Sequence, residues 1–199
     1  MRRHGARLAV TVALVGAALT LGPLTSVHAG TEALKVIGIG LSWLLRGDNR
    51  KSLERLLSGG ASVNILIPDP CAGEIVERYQ NDEPPDFELG LQGLAERARQ
   101  WADFAKTYRS LSVRICNRYP VANVTIFDRR VLVSPVLYKR RAKDSFTAIF
   151  RRPSEAAAIY EDHFKQLFEH GSRLLDEASL KGINERYPAA PRLSNREDR

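Results

Sequence analysis

Apolar and polar positions alternate with two different periods along this chain, and the switches between them mark its elements. Ala33 to Leu41 is apolar, carries Val36, Ile37 and Ile39, and is interrupted by Gly38 and Gly40. A run this short and this rich in β-branched residues predicts a buried first strand. Asp48 or Asn49 then stands where a short side-chain oxygen caps a helix, and Leu53, Leu56 and Leu57 give that helix one apolar face. Gly59 and Gly60 end it with the left-handed geometry that glycine tolerates. Ser62 to Ile67 returns to a strand pattern, which Pro68 and Pro70 stop around Asp69. Strand, helix and strand in succession predict a parallel pair joined by a right-handed crossover.

Cys71 to Tyr79 suits a short helix before the polar loop QNDEPPD. The clearest periodicity in the chain follows, with Leu91, Leu94, Ala98, Trp101, Ala105 and Tyr108 separated by 3, 4, 3, 4 and 3 positions. That is one face of a helix, and its aromatic residues are assigned to packing on the sheet rather than to a cofactor groove. Leu111, Val113 and Ile115 alternate with polar partners in a third strand. Asn123 to Asp128 places Val124 and Ile126 on one face and Thr125 and Phe127 on the other, and Val131 to Val133 resumes the β-branched run. With Asp128, Arg129 and Arg130 between them, these two stretches read as a β-hairpin. Phe146 to Phe150 supplies the last strand, and Ser154 caps a helix whose Ala157, Tyr160, Phe164, Leu167 and Gly171 share a face. From about Lys181 the periodicity is lost and prolines and charges accumulate, so a disordered tail is expected over 181–199. The segment LERLLSGGASVNI resembles part of an ankyrin repeat, but no second copy occurs about 33 residues away, which excludes a repeat array.

At 199 residues and 44% hydrophobic content the chain suits one domain with an ordinary core. The first 29 residues change that picture at one end. A cationic start, an uncharged apolar run and the small residues around Val27-His28-Ala29 predict a secretory signal cleaved after Ala29, or a membrane anchor if uncleaved. The expected location is therefore secreted or cell envelope. Formal charge is +7, of which Arg2, Arg3 and Arg7 belong to that leader, leaving +4 for the rest. The excess gathers late in the chain, where Arg129, Arg130, Lys139, Arg140, Arg141, Lys143, Arg151 and Arg152 place eight cations within 24 residues. Such a cluster suits phosphate oxygens on a nucleic acid or a phospholipid head group, and it equally suits a solvated hairpin edge that repels other strands.

Several chemistries are excluded by what the spacing lacks. Gly59-Gly60 has neither the Lys-Ser nor the helix that a phosphate loop requires, and no serine hydrolase elbow is present. Two cysteines 45 positions apart and scattered histidines make no metal site, so neither metal nor cofactor is expected. In an oxidising compartment Cys71 and Cys116, each following a strand, have the opportunity to pair as a disulfide.

The stretch Val121 to Phe150, with its flanks, resembles the C-terminal part of one half of a phospholipase D-like domain. That family has a strand bearing His-x-Lys, four residues, an Asp at the hairpin turn and a Gly-Ser-x-Asn return strand. Anchored on Asp128, the pattern puts its Lys at Asn123, its His at Val121 and its return-strand Ser at Ser134. The implied fold class is α/β, a single domain over residues 30–180 with a phospholipase D-like mixed sheet flanked by helices. The implied chemistry is missing, because valine cannot attack phosphorus and asparagine carries no charge to steady the phosphate oxygens. His163-Phe164-Lys165 repeats the triplet literally but sits on the expected terminal helix with no Asp seven positions after the His. The resemblance thus implies a non-catalytic binding or interaction module for a phosphate-bearing ligand, with Arg129, Arg130, Lys139, Arg140 and Arg141 as its contacts. Two alternatives stay open. One is a phosphodiesterase, phospholipase or nuclease, that pairs two half-sites as a homodimer; the other is a structural envelope protein.

Overall fold

The computed structural model describes residues 32–81, 90–137 and 145–189. The expected signal or anchor segment, residues 1–29, and the cations Lys139, Arg140, Arg141 and Lys143 lie outside them. Among the described residues no helix is long and apolar enough to cross a membrane.

Seven strands form one mixed sheet: β1 (Ala33–Ile37), β2 (Ser62–Pro68), β3 (Leu111–Cys116), β4 (Ala122–Phe127), β5 (Arg130–Pro135), β6 (Ala148–Arg151) and β7 (Ser172–Leu174). Their order is β6-β5-β4-β1-β2-β3-β7. β1, β2 and β3 are parallel, with Val36 opposite Ile65 and Ile65 opposite Val113. β4 lies antiparallel beside β1 and carries β5 and β6 outward as a meander, while β7 closes the other edge antiparallel to β3. The expected parallel β1–β2 pair and the β4–β5 hairpin are both present. The hairpin turns at Asp128, whose φ of 42° is a left-handed conformation that Asp tolerates better than most residues.

The two faces are covered unequally. On one, α1 (Gly47–Ser58), α3 (Gly90–Thr107) and α5 (Glu177–Arg186) pack Leu53, Leu57, Ala98, Trp101 and Ile183 onto Leu34, Val36, Val63, Ile65 and Val113. On the other, α4 (Glu155–His170) alone lays Ala157 and Phe164 on Ile37, Val124, Ile126, Val131 and Val133. The stripe expected on α3 is fully buried at Leu94, Ala98 and Trp101 and half-buried at Leu91 and Ala105, while Tyr108 lies just past the helix end. α2 (Gly73–Asn81) and α3 enclose a third small cluster of Ile75, Tyr79 and Leu94.

The structure departs from the sequence pattern in three places. β1 ends at Ile37 and not at Leu41, because the chain turns left-handed through Gly40 and Leu41 into a single 3-10 turn, Ser42–Leu45. Neither Asp48 nor Asn49 caps α1, which starts at Gly47 without a side-chain cap; the Asp48 carboxylate accepts from Lys51 Nζ at 3.2 Å instead. Lys181 lies inside α5, so the tail cannot begin there. The Asp176 side chain caps that helix by accepting from Ser179 N, and Ile183 is fully buried. Beyond it the Tyr187 hydroxyl donates to Pro70 O at 3.1 Å, and Gln92 Nε2 donates to Pro188 O at 2.8 Å. Ser154, in contrast, caps α4 as its sequence position implies, accepting from Ala157 N.

Candidate functional site

In open α/β sheets ligands gather beyond the carboxyl ends of the parallel strands. Here those ends are Ile37, Pro68 and Cys116, and the antiparallel hairpin brings Val121, Asn123 and Ser134 to the same rim. Asn123 sits opposite Ser134 in the hairpin register. Its Oδ1 accepts from Ile39 N at 3.2 Å, holding the chain that leaves β1. A β-carbon on Gly38 would come within 2.6 Å of that oxygen, so the backbone and the carboxamide are fitted to each other. The group that stands where the family resemblance calls for lysine is therefore a short neutral brace. Ser134 Oγ shares a hydrogen bond with Thr147 Oγ1 at 2.8 Å, and Val121 is 73% exposed with no nucleophile. His163 and His170 are both exposed on α4.

Asp128 does not join this group. It lies at the far end of β4, five residues beyond Asn123, roughly 16 Å at strand rise. Arg129 and Arg130 go with it, and β6 adds Arg151 directly opposite Arg130. The structure thus brings Arg129, Arg130, Arg151 and Arg152 together at the hairpin turn. Segment 138–144 follows β5 and precedes β6, so both its flanks are at the opposite, Asn123 end. Of the expected cluster of Arg129, Arg130, Lys139, Arg140 and Arg141, the first two sit at the turn, and the other three lie outside the described residues.

At the turn, Arg152 bonds Asp128 O and pairs with Glu161, while Arg129, Arg130 and Arg151 are exposed and make no ion pair among the described residues. Like charges directly across a strand pair repel, so the Arg130–Arg151 opposition is a local cost that an anion would relieve. A surface concavity of about 550 Å³ lined by Arg129, Arg152, Pro153, Ser154, Ala158 and Glu161 adjoins them.

One buried polar group at the strand ends does not stand out in the sequence. Asp69, 4% exposed, accepts from Cys71 N at 2.9 Å and pairs with Arg173 Nη2 at 2.8 Å. Arg173 Nη1 also donates to the buried Ser179 Oγ. The only sequence sign of this clamp is a carboxylate between two prolines just after a strand. It ties the β2 exit to β7 and α5, and its chemistry is structural.

Cys71 and Cys116 are free thiols here. Cys71 Sγ is directed at Gly182 O and Cys116 Sγ at Arg118 O, 3.2 Å away. Burial pushes the Cys116 thiol up to about 11, and burial followed by the Asp69 charge raises that of Cys71. Only a thiolate alkylates, so near pH 8 Cys116 has roughly one part in a thousand in reactive form. Iodoacetamide should label Cys71 first in the native protein, with Cys116 reacting only above about pH 10 or after denaturation. Peptide mass mapping checks the order, and failure of both to label in unreduced, denatured protein would reveal a disulfide instead. Among the described residues no three His, Cys, Asp or Glu side chains are grouped to hold a metal ion.

No family model and no curated protein matches this sequence. Solved structures align with this chain. Phosphatidylserine synthase from Haemophilus influenzae Rd KW20 aligns at TM-score 0.50 and 15% identity, over 77% of this chain and 39% of the synthase. Nuc, a phospholipase D family member from Salmonella typhimurium, aligns at 0.42 and 14% identity, over 76% of this chain and 86% of Nuc. TrmBL2, an archaeal chromatin protein with a novel mode of DNA binding, aligns at 0.42 and 14% identity over 71% of this chain and 45% of its own. This chain spans less than half the length of the synthase and of TrmBL2. The fold class is α/β, a single domain whose mixed sheet is flanked by helices, and the synthase shares that fold.

Proposed function

We propose that this protein is a non-catalytic phospholipase D-like module, exported or held at the cell envelope, that binds a phosphate-bearing ligand through its cations. The observation that carries this reading is the Asn123 side chain. Its oxygen is committed to Ile39 N, and neither it nor the exposed Val121 supplies the charge or nucleophile that phosphodiester cleavage on this scaffold requires. Binding needs less: guanidinium groups pair with phosphate oxygens in bidentate geometry wherever they face solvent. Arg129, Arg130 and Arg151 meet that condition.

The experiment is binding of a short duplex DNA, used as a generic phosphate polymer, across a salt series. Each phosphate contact contributes about 0.9 to the logarithmic salt slope for duplex DNA. Reversing Arg129 and Arg130 to Glu should therefore lower the slope by roughly 2, and reversing Lys139, Arg140 and Arg141 by roughly 3. The larger response identifies which half of the cation cluster meets the ligand. Unchanged affinity in both variants would remove the cation site, and absence of binding by the unaltered protein would leave a structural envelope role.

A further inference from the structure

We infer that the sheet face left open beside α4, floored by Lys35, Asn64 and Ser112, binds a small phosphomonoester that also carries hydroxyl groups. The inference rests on the phosphate-binding reading and adds to it a site on the sheet itself. α4 leaves the base of β6, where Arg151 lies opposite Arg130, and ends where Ser172 of β7 lies opposite Cys116 at the top of β3. It therefore crosses the sheet from corner to corner, and the corner it leaves open holds the first halves of β1, β2 and β3. There the register sets Lys35 beside Asn64 and Asn64 beside Ser112, all three half-buried. Side chains alternate along a strand, so the neighbouring Leu34, Val36, Val63, Ile65, Leu111 and Val113 are buried on the far side. Parallel strands covered on both faces are apolar on both, whereas these three turn a polar residue to the same side at the same level.

Charge and size select the occupant. β1 is the middle strand of the seven, and Lys35 Nζ stands 5.8 Å from the centroid of the Phe164 ring. Among the described residues that ammonium makes no hydrogen bond or ion pair, and the side chains of Asn64 and Ser112 have no hydrogen-bond partner. No Asp or Glu lies on β1, β2 or β3, and Glu161 of α4 is engaged by Arg152. A half-buried ammonium with no counter-charge calls for an anion, and lysine meets phosphate as a compact point charge. The Asn64 carboxamide and the Ser112 hydroxyl each donate and accept, which suits hydroxyl groups beside that phosphate. With strands about 4.8 Å apart the three side chains span ~10 Å, room for one phosphate and a short polyol but not for a run of phosphates along a polymer. A bilayer has no anchor here, since none of the exposed large apolar side chains lies on these strands.

Titration of the purified, nitrogen-15-labelled protein with glycerol 3-phosphate, followed by NMR at constant ionic strength, tests this. The Asn64 side-chain amide and the backbone amides of Lys35 and Ser112 should shift together and saturate. Inorganic phosphate should produce the same shifts more weakly, and glycerate, which replaces the phosphate by a carboxylate, more weakly still. Lys35→Met removes the charge and keeps the length of the side chain, and should weaken glycerol 3-phosphate on the order of tenfold or more, while Lys35→Arg should restore most of the affinity. Unsaturated drift of these signals, or equal affinity in the Lys35→Met protein, would overturn the site, and glycerate binding as tightly as glycerol 3-phosphate would overturn the ligand class. Shifts confined to Arg129, Arg130 and Arg151 would overturn the site while sparing the phosphate-binding reading. A protein that shifts with none of these probes and binds no duplex DNA would remove both.

Discussion

Trp101→Ala should cost about 4 kcal/mol of stability, the middle of the range for a buried aromatic reduced to alanine. The indole has no exposed surface and meets Phe104 edge-on, with ring centroids 6.2 Å apart. It is the largest fully buried side chain and sits where α3 crosses the sheet. Its Nε1 also donates to Gly40 O at 3.0 Å, in the left-handed turn that follows β1. Trp101 therefore holds both the core and the loop that Asn123 braces from the other side through Ile39 N. Trp101→Phe separates the two roles: it keeps most of the packing and leaves the buried Gly40 carbonyl unpaired, which should cost about 1–3 kcal/mol. Urea unfolding of the two variants gives both numbers. A loss below about 1 kcal/mol for Trp101→Ala would mean that the core is not centred on this helix.

Arg173→Ala should be more damaging than Asp69→Ala, although the same ion pair is broken in each. The Asp69 side chain is 6% exposed and that of Arg173 is 53% exposed. Removing the arginine leaves a buried carboxylate whose remaining partner among the described residues is Cys71 N, whereas removing the aspartate leaves a guanidinium already half in water. Breaking a buried pair in the first way costs about 3 kcal/mol, reduced here to roughly 2 by the solvent screening on the arginine side. Arg173→Ala also removes the donor to Ser179 Oγ in the first turn of α5, leaving that hydroxyl only its bond to Leu174 O, so that helix should fray first in hydrogen exchange. Equal losses in the two variants would show that the geometry of the clamp, rather than the burial of its carboxylate, sets its strength.

Much of the fold can be read from periodicity because its strong elements bury one face each. The β1–α1–β2 crossover, the α3 stripe and the β4–β5 hairpin are long enough for a period of 2 or 3.6 to show. β7 has three residues and the turn Ser42–Leu45 four, too few for any period. α5 escapes notice for a related reason: Ile183 is its one fully buried apolar residue, and much of its attachment comes from polar links such as Arg99 to Asn184 and Arg186 to Cys71 O. Nothing local in the sequence specifies that β4 pairs with β1 and not with β3, since both neighbours offer similar β-branched faces.

The site is legible as a set of positions and not as a geometry. Val121, Asn123 and Ser134 do meet at one rim. Arg129 and Arg130 stand apart from that rim because the six residues of β5, at about 3.3 Å per residue, part the turn from it by most of the sheet's height. Asn123 offers no sign in the sequence that its oxygen is already engaged, because its partner is a backbone amide 84 residues away.

The central claim, that phosphodiester chemistry is absent from this site, is tested most directly by turnover of an activated phosphodiester such as bis(4-nitrophenyl) phosphate. Purified protein should release nitrophenolate no faster than the same protein carrying Asn123→Ala, across a concentration range wide enough to populate a dimer. Protein-dependent release that grows with the square of concentration and is abolished by Asn123→Ala would contradict the account and establish a paired-site phosphodiesterase.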